Sequence, residues 1–257
     1  MFYLPLKKRQ ITLTFHLLKQ TGDLMKTTLL QSSDLTGISF WLISMALLAS
    51  TFFFFIERNS VKASWRTSMT LSGLVTGIAF VHYMYMREVW VTTGTSPTVF
   101  RYIDWLLTVP LLMIEFYFIL SAVKKVSSGI FWRLLLGTLV MLIGGYLGEA
   151  GYMNINAGFI IGMAGWIFIL YEVFSGEAGR EAARLSGAAK DCFEFCKWIV
   201  TIGWSVYPLG YLFGYMTGSA NEVTLNLVYN LADFINKILF GLVIYKTASS
   251  LTPAGSK

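Results

Sequence analysis

Two ionisable residues interrupt an apolar stretch near the C-terminus of the chain. The stretch, Leu225 to Ala248, holds Asp233 and Lys237, whose spacing places both on one helix face about one turn apart. Charges are costly inside a membrane, and they usually pair with one another or mark a functional site. One interpretation is an ion pair that only holds a helix bundle together. The other is chemical, because a lysine amine can form a Schiff base with an aldehyde and stay protonated beside a carboxylate counter-ion.

Four more polar residues share one face of an earlier apolar stretch, Val99 to Val123. At 100° per residue, Arg101, Asp104, Thr108 and Glu115 fall within about 100° of one another. The two carboxyl groups stand about 16 Å apart along the helix axis, which suits a proton relay. Apolar surroundings favour the protonated form of Glu115, whereas nearby Arg101 keeps Asp104 ionised and able to accept a proton. A wet helix face that lines a bundle or an oligomer contact is the alternative.

A histidine lies in another apolar stretch, Ser68 to Val89. This residue, His82, has a depth similar to that of Asp104, which predicts a hydrogen bond between the two side chains. Such a bond would couple their protonation near physiological pH. A packed histidine that does not titrate is the alternative.

An aromatic stripe follows in the sixth apolar stretch. Trp204, Tyr207, Pro208 and Tyr211 have the spacing of one helix face, and such stripes are usually core packing. Together with Trp105, the same rings would also sandwich an elongated conjugated ligand. Periodicity leaves both interpretations open.

The composition is that of an integral membrane protein. The 257-residue chain is 55% hydrophobic and only 13% charged, against roughly 25% charged residues in a soluble domain. The formal net charge is +6, but the Lys and Arg residues are scattered over short loops, which argues for membrane topology and against nucleic-acid binding. Cys192 and Cys196 lie far from both histidines in sequence, so neither a metal cluster nor a disulfide framework is predicted.

Seven apolar segments predict an all-α bundle of seven transmembrane helices over residues 35–250. The fourth is predicted to be a short helix because its end is rich in glycine. Glycines four residues apart in three segments predict close helix contacts. The segments are Ser39 to Ile56, Ser68 to Val89, Val99 to Val123, Leu134 to Leu147, Ala157 to Phe174, Trp198 to Met216 and Leu225 to Ala248.

The distribution of basic residues predicts the topology. The loops after the first, third and fifth segments are rich in Lys and Arg, which places them, and a tail at 251–257, in the cytoplasm and the N-terminus outside. Residues 1–34 fit poorly, because their lysines and arginine would then lie outside. We interpret this region as an extension that is mobile or removed, either as a signal peptide or because translation starts at Met25.

Four motifs, RYIDWLLTVPLLMIE, GWSVYP, NLADFINKILFG and GIAFVHYMYMR, resemble the microbial rhodopsins, and most closely the proteorhodopsin group. The resemblance covers the chain from about Asp34 to Lys246. It implies a light-driven outward proton pump, not an enzyme, that spans the bacterial inner membrane and builds a proton gradient across it. It also implies all-trans retinal bound to Lys237 as a protonated Schiff base.

The resemblance assigns roles to particular residues. Asp104 would be the primary proton acceptor and counter-ion, Asp233 the second counter-ion and Glu115 the cytoplasmic proton donor, while Arg101 would lie in the outward path. Leu112 occupies the colour-tuning position and implies green rather than blue absorption. The retinal pocket would be lined by Trp105, Leu112, Met141, Trp204, Tyr207 and Pro208.

An oligomer is also implied by the resemblance. His82 would pair with Asp104 and would meet Trp41 of a neighbouring protomer in a pentamer or hexamer. Val81, Glu88 and Asn59 depart from residues that are common in the group, and these departures affect the protomer interface and the outer surface.

Three other functions compete with a proton pump. A photosensor would use the same chromophore to signal through a partner, but it would not need Glu115 for rapid reprotonation. A chloride or sodium pump would be expected to replace members of the set Asp104, Thr108 and Glu115. A seven-helix transporter without a chromophore would leave Lys237 without a purpose.

Overall fold

A computed structural model describes residues 29–253, and all regular secondary structure in that range is helical. Most of the expected N-terminal extension therefore lies outside the described residues. The first helix begins where the sequence offers an N-cap, because the Asp34 carboxylate accepts a hydrogen bond from the Gly37 amide at 2.9 Å. The same carboxylate accepts hydrogen bonds from the Trp90 indole, which ties the start of the first helix to the end of the second.

Seven long helices form the bundle, which confirms the predicted fold. Five are continuous: α1 is Leu35–Glu57, α2 is Arg66–Thr93, α3 is Thr98–Ser121, α4 is Ser128–Glu149 and α5 is Ile155–Phe174. Helix α6 covers 187–216 in four pieces, Gly187–Ile202, Gly203–Ser205, Val206–Gly210 and Tyr211–Met216. Helix α7 covers 222–250 in three, Glu222–Asp233, Phe234–Leu239 and Phe240–Ser250. A short helix, Glu177–Ala183, stands between α5 and α6.

Six helices in the described part of the chain are long and apolar enough to cross a membrane, and α6 completes the seven-helix bundle although it does not meet those criteria. The prediction that α6 starts at Trp198 was wrong. Its first turns are polar in sequence but amphipathic, since Cys192, Phe193 and Cys196 are buried while Lys190 is exposed. The burial of this apolar face extends the helix back to Gly187.

The prediction of a short fourth helix was also wrong, because the glycines that suggested a helix end instead pack against the backbone of α5. A Cβ atom added to Gly158 of α5 would lie 2.6 Å from the Gly148 Cα atom of α4. A Cβ atom on Gly165 would meet the Met141 backbone nitrogen at 2.5 Å. The predicted small-residue contacts at Gly144 and Gly148 are thus confirmed, and the two backbones lie close together from Gly137 to Gly148 of α4.

The helices close into a ring with α3 and α7 facing its interior. Each of α1 to α5 packs on the next, α7 returns to contact α1, α2 and α6, and α3 also contacts α6. The polar face predicted for α3 is buried, with Arg101, Asp104, Thr108 and Glu115 at most 2% exposed. The apolar side chains of the outer faces are exposed, as lipid contact requires.

Candidate functional site

Lys237 lies at the centre of the bundle between two carboxylates. Its Nζ atom donates to Asp104 Oδ2 at 2.6 Å and to Asp233 Oδ2 at 2.9 Å, and all three side chains are buried. The lysine stands in a π-helical turn, Phe234–Leu239, that follows Asp233 directly. Such turns are rare and occur mostly at functional sites. The ionic contacts compensate charges that would otherwise be prohibitive at this depth.

The two carboxylates differ in how many donors surround them. Asp233 also accepts hydrogen bonds from Tyr207 at 2.5 Å, from Tyr83 at 2.8 Å and, at 3.3 Å, from the Trp105 indole. Besides Lys237, Asp104 has His82, whose Nδ1 atom is 3.4 Å from Asp104 Oδ1. More donors stabilise a carboxylate in its ionised form. The structure therefore surrounds Asp233 with more hydrogen-bond donors than Asp104.

Arg101 is buried on α3 about one turn before Asp104 and is held by neutral acceptors. Its guanidinium donates to Asn226 at 2.9 Å, to Asn230 at 3.0 Å and to the Tyr83 hydroxyl at 3.3 Å. Among the residues described, Arg101 forms no ion pair, and the Asp104 carboxylate pairs with Lys237 instead. The Tyr83 hydroxyl donates a hydrogen bond to Asp233 and accepts one from Arg101, so it connects the two charged side chains.

Glu115 lies on the other side of Lys237, toward the C-terminal end of α3. It is 2% exposed, and neither carboxyl oxygen has a hydrogen-bond partner among the described residues. A small cavity of about 190 Å³, counting the open space at its mouth, is lined by both Glu115 and Lys237, together with apolar side chains such as Leu112 and Phe240. A buried carboxyl group without hydrogen bonds is far more stable protonated than ionised.

Thr108 lies on the same buried face of α3, between the two carboxyl groups. Its hydroxyl donates to the backbone carbonyl of Asp104 at 2.9 Å, not to a side chain. The bond lies close before Pro110, which has no backbone N–H to donate. Helix α3 stays continuous through that proline.

A larger cavity of about 780 Å³, counting its mouth, extends from Lys237 between α3, α4, α5 and α6. Its walls are apolar and aromatic, with a few polar groups at the lysine end, which is the usual composition of a small-molecule site. The lining includes every pocket residue expected from the sequence: Trp105, Leu112, Met141, Trp204, Tyr207, Pro208 and Lys237. It also includes Tyr211 of the aromatic stripe.

Irregular turns in α6 position the aromatic wall. Pro208 cannot donate to the carbonyl four residues back, and its ring crowds that turn, so the helix narrows to a 3-10 turn at Gly203–Ser205. The Gly203 carbonyl, in this 3-10 turn, accepts a hydrogen bond from the Asn236 side-chain amide of α7 at 3.1 Å. Gly210 is required here, because any Cβ atom would overlap the Tyr229 ring.

Several site residues were missed from the sequence. Tyr83, Asn226 and Asn230 come from helices whose facing sides could not be paired without the fold. Glu149 was missed as well, although a carboxyl residue next to an apolar segment can be recognised in the sequence as a candidate site residue. It lines the larger cavity and accepts a hydrogen bond from the Tyr102 hydroxyl at 2.9 Å. The α5 side of the cavity also escaped notice, and its lining there is Gly158, Phe159, Gly162, Met163 and Trp166.

Seven helices around a buried lysine, two carboxylates and a long apolar cavity define a membrane protein that holds an elongated apolar ligand at an amine. The chain belongs to the family of bacteriorhodopsin-like proteins, whose model matches residues 34–251. This confirms the resemblance to the microbial rhodopsins.

Individual relatives place the chain within the family. It is 56% identical over 220 residues to the green-light absorbing proteorhodopsin of Gamma-proteobacterium EBAC31A08, covering 85% of this chain and 88% of that protein. The solved structure of a blue light-absorbing proteorhodopsin from Med12 is 52% identical, with a TM-score of 0.74 over 84% of this chain and 99% of the other. Xanthorhodopsin, described as a light-driven ion pump with dual chromophore, is 26% identical, with a TM-score of 0.75 over 85% and 93% of the chains. The chain is thus a multi-pass membrane protein of the retinal-binding type.

Proposed function

We propose that this protein is a light-driven outward proton pump. The observation that carries the proposal is the arrangement of three carboxyl groups around Lys237. Two of them contact the amine directly, at 2.6 and 2.9 Å, and the third is reached only through a small cavity. The group that accepts the proton from the lysine nitrogen is therefore different from the group that returns a proton to it.

The larger cavity fits retinal in shape and chemistry. It is long, apolar and walled by aromatic rings, and its one buried amine can condense with an aldehyde. We infer that all-trans retinal, joined to Lys237 as a Schiff base, supplies visible absorption and the isomerisation that redirects the nitrogen-bound proton. Trp105, Trp204 and Tyr207 would hold the polyene, with Leu112, Met141 and Pro208 completing its surroundings.

Asp104 is the carboxylate that accepts the proton. It makes the shorter contact to the Lys237 nitrogen, and it has fewer other donors than Asp233. Asp233 stays ionised, because two tyrosine hydroxyls and an indole hold its charge in addition to the lysine. The His82 ring nitrogen, at 3.4 Å from an Asp104 oxygen, positions the acceptor.

Glu115 returns a proton to the lysine nitrogen from the opposite side. Its carboxyl group carries a proton in the resting state, because burial without a hydrogen-bond partner leaves no support for a charge. Water in the small cavity that it shares with Lys237 would connect the two groups. Once Asp104 holds the proton, Arg101 on the outer side lies in the path along which that proton would leave.

The direction of transport follows from the proposed topology. Basic loops at the α1–α2, α3–α4 and α5–α6 connections place those ends in the cytoplasm, with the N-terminus outside. Glu115 then lies on the cytoplasmic side and Arg101 on the outer side. We place the protein in the inner membrane of a bacterium.

We also propose assembly into a pentamer or hexamer. Trp41 is 41% exposed on α1, and the Arg87 guanidinium lies 5.4 Å from its ring centroid. His82 is partly exposed on the neighbouring helix, so a second protomer could contact both residues.

Light-induced pH change in a suspension of retinal-supplied cells tests the pump. We expect acidification of the medium on illumination, abolished by a protonophore and by Lys237→Ala. Coloured cells without a pH change would favour a photosensor. A pH change that a protonophore enhances rather than abolishes would indicate transport of another ion. Colourless cells, despite retinal and confirmed expression, would refute the Schiff-base assignment.

A further inference from the structure

The residue directly before Lys237 is a buried asparagine that faces α6. Asn236 is 2% exposed and lines the larger cavity. Its side-chain nitrogen donates one hydrogen bond to the Gly203 carbonyl at 3.1 Å and a second to the Tyr207 hydroxyl oxygen at 3.2 Å. Both acceptors belong to α6, so this single amide connects α6 and α7 beside the lysine.

The acceptors on α6 determine which end of the amide faces them. A backbone carbonyl can only accept, so the group that contacts Gly203 must be the NH2 end of Asn236. The Asn236 oxygen has no hydrogen-bond partner among the described residues. It lies so close to the 3-10 turn that a Cβ atom on Gly203 would stand 2.2 Å from it. A larger residue at Gly203 would therefore push the amide aside.

The bond to Tyr207 decides where the hydroxyl hydrogen of that residue points. A tyrosine hydroxyl has one hydrogen to donate and can also accept. Because the Asn236 nitrogen donates to this oxygen, the hydrogen of Tyr207 goes to Asp233 Oδ1, at 2.5 Å. The other oxygen of Asp233 accepts from Lys237 at 2.9 Å. A chain of hydrogen bonds therefore runs from the amide through the hydroxyl to the carboxylate beside the lysine, and bonds in such a chain strengthen one another.

We propose that Asn236 is a positioning residue for Asp233 and acts through the Tyr207 hydroxyl. This inference rests on the role of Asp233 as second counter-ion in the proposed pump. Donation from the amide directs the Tyr207 hydrogen to the carboxylate and strengthens that bond. The bond to Gly203 holds the same amide to the 3-10 turn of α6, so a movement of this turn reaches the charge beside Lys237.

Infrared spectroscopy of the retinal-loaded protein tests the contact directly. The C–O stretching band of a tyrosine differs between a hydroxyl that both donates and accepts and a hydroxyl that only donates. The Tyr207 band, identified by its loss in Tyr207→Phe, should have the first form in the parent protein and the second in Asn236→Ala. Asn236→Leu, which keeps most of the side-chain volume, should give the same shift. A Tyr207 band that stays unshifted in these variants would overturn the inference.

Ser205→Ala is the matched control for a loosened turn. The Ser205 hydroxyl donates to the Ile202 carbonyl at 2.7 Å in the same part of α6. Loss of this bond disturbs the turn but leaves the Asn236 amide in place, so the Tyr207 band should stay unshifted. A band that moves as far in Ser205→Ala as in Asn236→Ala would show that the asparagine only supports the turn, and would refute the positioning role.

The visible absorption gives a second readout through a double-mutant cycle. Asn236→Ala should shift the absorption band, because the charges near the Lys237 nitrogen influence it, and the shift should be much smaller in a Tyr207→Phe background. Equal shifts in both backgrounds would contradict transmission through the hydroxyl.

The counter-ion role of Asp233 has a separate test. Asp233→Asn removes the charge, so it should shift the visible band if this carboxylate faces the protonated nitrogen. An unshifted visible band in Asp233→Asn would refute the counter-ion role. A shifted visible band in Asp233→Asn, together with an unshifted Tyr207 infrared band in Asn236→Ala, would refute the asparagine inference alone.

Discussion

Replacing Tyr83 by phenylalanine removes the one hydroxyl that connects Asp233 to Arg101. The hydroxyl donates to Asp233 at 2.8 Å and accepts from Arg101 at 3.3 Å. Without it, Asp233 loses one of its neutral donors. Arg101 loses one of three acceptors, although its Nε atom already lacks a partner among the described residues. The phenyl ring of the variant would still fill the space, so the change isolates the hydrogen bonds.

The magnitude follows from the two bonds. Hydrogen bonds between helices in a membrane contribute about 0.6 kcal/mol on average and about 1.7 kcal/mol at most. The bond to the ionised Asp233 is short and belongs near the upper value, whereas the longer bond from Arg101 belongs near the average. Tyr83→Phe should therefore lower the free energy of unfolding by about 2 kcal/mol. For a chain of this size, that is a decrease of about 4 to 8 °C in Tm.

Thermal bleaching of the purified pigment is the assay, with Tyr85→Phe as the matched control. Tyr85 lies two residues along the same helix, is 54% exposed and has no hydrogen bond from its hydroxyl in the described structure. Its replacement should change the stability by no more than about 0.5 kcal/mol. Equal Tm values for the Tyr83 and Tyr85 variants would refute the view that the hydroxyl holds the charged centre together.

Three further changes test other parts of the account. Leu112→Gln should shift the visible absorption to the blue, since an amide dipole would stabilise the positive charge at the Lys237 end in the dark state. An unshifted spectrum would contradict the position of Leu112 on the cavity wall. Glu115→Gln should slow recovery after a flash by about a hundredfold, the low end of the usual contribution of a positioned acid, and unchanged recovery would remove its donor role. Gly158→Val should cost about 1 to 3 kcal/mol by forcing α4 and α5 apart, measured by thermal bleaching, and a parent-like Tm would show that these backbones need not touch.

Periodicity predicted the parts of the site that lie on single helices. The spacing of Asp233 and Lys237 placed them together, and the structure has them in contact at 2.9 Å. The polar face of α3 was equally readable, because a charged residue in an apolar helix must point inward. The seven helices followed from apolar length alone. Each of these features depends only on the residue pattern within a single segment.

Features that depend on pairs of helices were not predictable in the same way. Nothing in the sequence showed that Tyr83 would reach Asp233, or that Asn226 rather than Asp104 would hold Arg101. The π-helical turn around Lys237 was also missed, because apolar periodicity does not distinguish such a turn from an α-helical one. The glycines of α4 were misread because their contacts depend on a second helix, α5.

The central claim is that Asp104, and not Asp233, takes the proton from the lysine nitrogen. Time-resolved infrared spectroscopy of carboxyl protonation tests it most directly in Asp104→Glu and Asp233→Glu variants, which keep the charge. The account predicts that a protonated carboxyl band rises after the flash, moves to another frequency in Asp104→Glu and stays unchanged in Asp233→Glu. A band that moves only in Asp233→Glu would contradict the account.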